Sequence, residues 1–228
     1  HSPGSVTDFT AGTLAGGISG TDSVANSYPA TGVSLPASGY DGIVGWGRFY
    51  GTLTLADTQS GLFTTTLGPN QGIHAVVGIP TAVMPTVGSA HYALTGATAP
   101  TLASGAVAPG NVMGGGLDVW FFGTPALIGT LNLAIGGKNF DLSFSGTFTG
   151  NGLGLGGTIN SFASSSNGGC GLYSCTAQTS GFFAGANAAR AGMAYSITGH
   201  TLDATAIRGA AVYSQTVSTA RGCNPSSC

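Results

Sequence analysis

The chain has 228 residues, of which only 5% are charged, against about 25% in ordinary soluble domains. With no Glu and a single lysine, Lys138, it has little material for solvated helix faces, and Ser, Thr and Gly take the polar positions, which suits strands and turns. A net charge of −2 with scattered cations excludes a nucleic-acid stripe and a polybasic membrane patch, and no apolar run is long enough for a membrane-spanning helix.

The first 42 residues show no helical periodicity and carry only short apolar pulses at Val6, Phe9 and Leu14. They read as an extended N-terminal arm or a set of edge strands, with those three residues as its anchors for assembly. The chain opens on His1 rather than Met, so we expect removal of a signal peptide and an extracellular or outer cell-surface location.

From residue 43 to 228 we expect one β-barrel domain. Strand patterns fall at 43–55, 72–79, 89–96, 116–123, 126–135, 138–148, 153–163, 176–185, 191–198 and 205–213. Pro80 and Pro85 interrupt the chain between the second and third of these. Gly136-Gly137 marks a tight hairpin. In the strand that follows, Leu142, Phe144 and Phe148 alternate with Asp141, Ser143, Ser145 and Thr147, which is the cleanest period-two pattern in the sequence. Only 187–190 (NAAR) has the composition of a helical turn. A meander that closes on itself removes its own edges, so the pattern predicts an all-β fold, a small antiparallel up-and-down barrel of about eight strands.

Two local cysteine pairs, Cys170 with Cys175 and Cys223 with Cys228, read as disulfide loops of an oxidising compartment, with cross-pairing left open. No Ser/His/Asp set or paired carboxylates can be assembled, so no catalytic residue is assigned and the chain is read as a non-enzyme. GLGLGG at 152–157 has the letters of a nucleotide fingerprint but a strand after it, and reads as a bent barrel strand. His74 and His91 flank the Pro85 turn on what look like adjacent strands, near Met84, so a metal or haem iron is one reading, with His1 as a further ligand. His200 falls at a turn and is expected in solvent. Trp46, Phe49, Tyr50, Trp120, Phe121 and Phe122 are candidates for core or interface packing.

Several phrases resemble one group: GWGRFYG (45–51), HAVVGIPT (74–81), MPTVGSAHYALTGATAPT (84–101), SGTFTG (145–150), GFFAGANAARAGMAYSI (181–197) and GAAVY (209–213). Together they are similar to the transferrin-binding-protein-like β-barrel family, the barrel that ends Gram-negative surface lipoproteins and FecR-domain proteins. The resemblance covers about residues 43–214. It implies an eight-stranded surface barrel without enzymatic activity, and its secreted haem-scavenging relatives imply haem as an alternative ligand. The expected function is a structural or interaction subunit that self-associates through the N-terminal arm, as in an extracellular filament, or binds another surface protein. The alternative is a secreted haem- or metal-binding protein of iron acquisition.

Overall fold

The computed structural model describes residues 33–57, 61–148, 159–171 and 175–216. His1, Val6, Phe9, Leu14, the glycine run at 152–157, Cys223 and Cys228 lie outside them. Thirteen strands follow in chain order: β1 (Val33–Tyr40), β2 (Val44–Asp57), β3 (Gly61–Leu67), β4 (Ile73–Gly78), β5 (Ser89–Ala97), β6 (Thr101–Leu102), β7 (Asn111–Trp120), β8 (Ala126–Ile135), β9 (Lys138–Thr147), β10 (Ile159–Ser164), β11 (Cys175–Ala184), β12 (Arg190–Thr198) and β13 (Ile207–Thr216). No α-helix occurs among the described residues. A single 3-10 turn at Ala186–Ala188 overlaps the NAAR segment.

β5 and β7 to β13 each pair antiparallel with the next, and β13 returns to β5. This closes an eight-stranded up-and-down barrel, with β6 as a two-residue addition to β13. The alternation read from the sequence sets its inside: Phe140, Leu142, Phe144 and Phe148 are buried, while Ser145 and Thr147 face out. The Gly136-Gly137 turn has φ of 58° and 73°, the left-handed pair that matches the twist of a two-residue hairpin.

The barrel begins at Ser89. The strands before it form a second, four-stranded sheet in which β2 is central, with β1 on one side and β4 and then β3 on the other. The span read as a single barrel domain therefore holds a barrel and most of a separate sheet, and β1, from the expected arm, is an edge strand of that sheet. An apolar seam of Val44, Ala184 and Val212, flanked by Ile43, Trp46, Val76 and Phe182, joins the sheet to the barrel's outer face. Trp46 lies between two glycines, since a Cβ built on either Gly39 or Gly96 would fall 2.2 Å from its ring. Polar contacts reinforce the seam. The Gln71 amide donates to the Ala103 carbonyl at 2.7 Å, the Thr81 N–H to the Phe183 carbonyl at 2.9 Å, and Arg190 pairs with Asp41.

Candidate interaction surfaces

Eight strands enclose a space that side chains can fill, and here they fill it. Tyr92, Phe121, Phe140, Phe144, Phe148, Phe183, Tyr195 and Tyr213 are buried, with Leu117, Leu131, Leu142 and Met193 among them. The rings of Phe121, Phe148 and Phe183 pack at centroid distances of 5.1 to 6.4 Å. Phe144 and Tyr195 lie over Gly129 and Gly209 of neighbouring strands, where a Cβ would fall within 2.3 Å of the ring or hydroxyl, so glycine makes room for each aromatic. Burial drives the phenols of Tyr92, Tyr195 and Tyr213 upward, so all three stay protonated. Tyr92 donates its hydroxyl to the Ala188 carbonyl at 2.7 Å, which pins the 3-10 turn over one mouth of the barrel.

The described histidines, His74, His91 and His200, are not brought together. β4 and β5 are not neighbours: β4 pairs with β2, and β5 with β7 and β13. The adjacency expected from the Pro85 turn is replaced by placement in two sheets, because Pro80 to Gly88 forms a long connection and not a hairpin. Both ring nitrogens of His74 are engaged, Nδ1 with Thr98 Oγ1 at 2.8 Å and Nε2 with Thr101 Oγ1 at 2.9 Å. Burial, with repulsion from Arg48 and Arg208, pulls this imidazole down to about 3, so it is neutral at physiological pH and fastens the sheet to the barrel. His91 lies on β5 seven residues before Thr98, roughly 23 Å along an extended backbone. Its Nδ1 contacts the exposed Asp118 carboxylate at 2.7 Å. His200 is buried, contrary to its expected place in solvent. It stands edge-on to Phe140, and its backbone pairs with that of Cys170 as an isolated β-bridge. Burial lowers its basicity, and the Asp203 carboxylate and Thr205 backbone pull weakly the other way. Among the described residues no three His, Cys, Asp or Glu side chains converge as a metal site. Cys170 and Cys175 are joined as a disulfide.

The two ends of the barrel differ in chemistry. At one end the chain turns through Ser104, Asp203 and Thr205 and through Asn167, whose side-chain amide donates to the Gly137 carbonyl while Lys138 donates to the Asn167 carbonyl. At the other end are the β1–β2 turn, the β4–β5 connection and the β7–β8 turn. They expose Tyr40, Ile79, Val83, Val87, Trp120 and Phe122, with Ile79 and Val83 more than three-quarters open. Ile43, Ile79, Pro80 and Val83 line a shallow cleft there beside Gly185 to Asn187. The nearby charges are paired. Burial alone would raise the Asp41 carboxyl, but the Val44 N–H, Arg190 and the Ile43 N–H outweigh it and hold it low. Of the six aromatics singled out in the sequence, Phe49 and Phe121 are core, Trp46 is at the seam, Tyr50 packs under Arg48, and Trp120 and Phe122 are on this rim.

Among the described residues the four-stranded sheet has open edges. β1 pairs only with β2, and so does β3. An unpaired strand edge presents a row of N–H and C=O groups that can accept another strand. Among the described residues, β2 and β3 beyond Gly51 pair only with each other. Sequence reading missed β3, since GLFTTTL lacks a clean period-two alternation.

No family model and no curated protein sequence matches the chain. Among solved structures it is similar to intact Ap-TbpB with N and C lobes, at 17% identity and a TM-score of 0.48, over 85% of this chain and 36% of that one. It is also similar to a double mutant of Transferrin Binding Protein B from Haemophilus parasuis Hp5, at 17% identity and a TM-score of 0.45, over 81% of this chain and 37% of that one. The chain thus spans little more than a third of the length of these proteins, and at this level the likeness carries nothing about ligand or partner.

Proposed function

We propose that the chain is a non-enzymatic protein of the cell exterior or outer surface, a structural and interaction subunit that self-associates through its N-terminal residues. One observation supports this reading: the barrel is filled with its own side chains, while among the described residues the sheet fastened to it has strand edges that pair with no other strand. A protein built this way binds by backbone pairing along an edge and not by enclosing a small ligand. Its very low charge leaves little repulsion to hold copies apart.

The test is removal of residues 1–32, sized by light scattering and melted in parallel. The full chain is expected to form higher assemblies as concentration rises. The shortened chain should keep a cooperative melt and run as a monomer. A full chain that stays monomeric, or a shortened one that assembles equally well, overturns the reading.

A further inference from the structure

We infer that the acceptor for a second copy is the outer edge of β3, which takes an N-terminal segment (residues 1–32) as an added strand; this rests on the self-association reading above. Among the described residues the β1 and β3 edges of the sheet are not equivalent. β1 carries Pro36 and a one-residue bulge between Ser34 and Ala37, where its register against β2 shifts. Proline removes a donor and a bulge twists the strand away, and both devices protect an edge against addition. β3 has neither. Its sequence, GLFTTTL, holds no charge and no proline, and its seven residues pair with β2 from Gly51↔Leu67 to Asp57↔Gly61 without a register shift. A flat, uncharged edge rich in β-branched residues is the form that accepts a strand.

Among the described residues, β2 and β3 beyond Gly51 form a two-stranded ribbon. A two-stranded hairpin is marginal in water, and a third strand is the usual remedy. Val33 and Leu67 both stand opposite Gly51, on either side of β2. Val33 therefore lies on the β2 side of the ribbon. The β3 edge faces the other way, and no described strand pairs with it. Thirty-two residues precede Val33, an extended reach of roughly 100 Å, enough to span to a neighbour.

The experiment uses the full chain with p-benzoyl-phenylalanine in place of Thr66, which is exposed near the end of β3. A second version carries the probe at Thr64, and a control carries it at the exposed Ser38 of β1. Light and heavy isotope-labelled chains are mixed, allowed to assemble, irradiated and mapped by mass spectrometry. We expect mixed-label adducts joining position 66 or 64 to residues 1–32, and none at Ser38. Assembly with adducts only within one chain, only at Ser38, or only to segments other than residues 1–32 overturns the β3 acceptor while leaving self-association standing. A chain that never assembles overturns the underlying reading instead.

Discussion

The fastening of the sheet to the barrel through His74 makes a quantitative prediction about acid. Folded, the His74 imidazole is held down to about 3 by burial, Arg48 and Arg208, and its two nitrogens are occupied by Thr98 and Thr101. Unfolded, it returns to its ordinary value near 6.5. Between those values the unfolded chain binds a proton that the folded chain refuses, so stability is full above about pH 6.5 and declines as pH falls towards 3. Well below 6.5 the slope is about 1.4 kcal/mol per pH unit, and the integrated loss from pH 7 to pH 5 is about 2 kcal/mol for this one group. For a domain of this size that corresponds to about 4–8 °C in Tm. His74→Asn retains a donor and an acceptor for the threonines but does not titrate. Melting both proteins at pH 7 and pH 5 isolates the difference, since His200 contributes equally to each. The variant should lose about 4–8 °C less than the parent on acidification. Equal losses would refute the account of His74 as a buried neutral fastener.

Other substitutions probe other parts of the construction. Gly96→Ala puts a methyl group into the Trp46 ring and should destabilise by about 1–3 kcal/mol as overpacking, with a red shift of tryptophan fluorescence as the sheet lifts; an unchanged melt and spectrum would refute the seam. Cys170→Ser with Cys175→Ser opens a loop closed over a sequence separation of 5, for which chain entropy gives about 2 kcal/mol, or about 4–8 °C in Tm. An unaltered melt would show that the link adds nothing to the fold. Haemin titration should give no Soret band that depends on the histidines, because His74 is spent on threonines and His91 lies far along β5. A band lost in a His74→Ala/His91→Ala double variant would restore the haem reading.

Much of the barrel was legible because its strands obey period two and end in strong punctuation. Phe140 to Phe148 alternates cleanly, Gly136-Gly137 fixes its hairpin, and the Gly-Thr-Pro turn at 123–125 separates β7 from β8. The second sheet was not legible. β2 and β4 look like barrel strands locally, and what sends them elsewhere is the long connection from Ile79 to Gly88 and the fit of Trp46 between Gly39 and Gly96. Neither leaves a periodic trace. β3 hid because three successive threonines blur alternation. His200 was misplaced for a similar reason: its position beside a turn suggested solvent, but its ring packs edge-on to Phe140 and its backbone bridges Cys170. The asymmetry between the β1 and β3 edges is written in the sequence as Pro36 against GLFTTTL, yet it acquires meaning only once both are known to be edges.

Joining of copies through their N-terminal residues can be followed by sedimentation velocity on the full chain, brought from monomer to assembly conditions with and without an excess of a peptide of residues 1–32. The peptide is expected to occupy the acceptor edge and hold the chain at monomer size, while a scrambled peptide does not. Assemblies of the same size with the peptide present would contradict it.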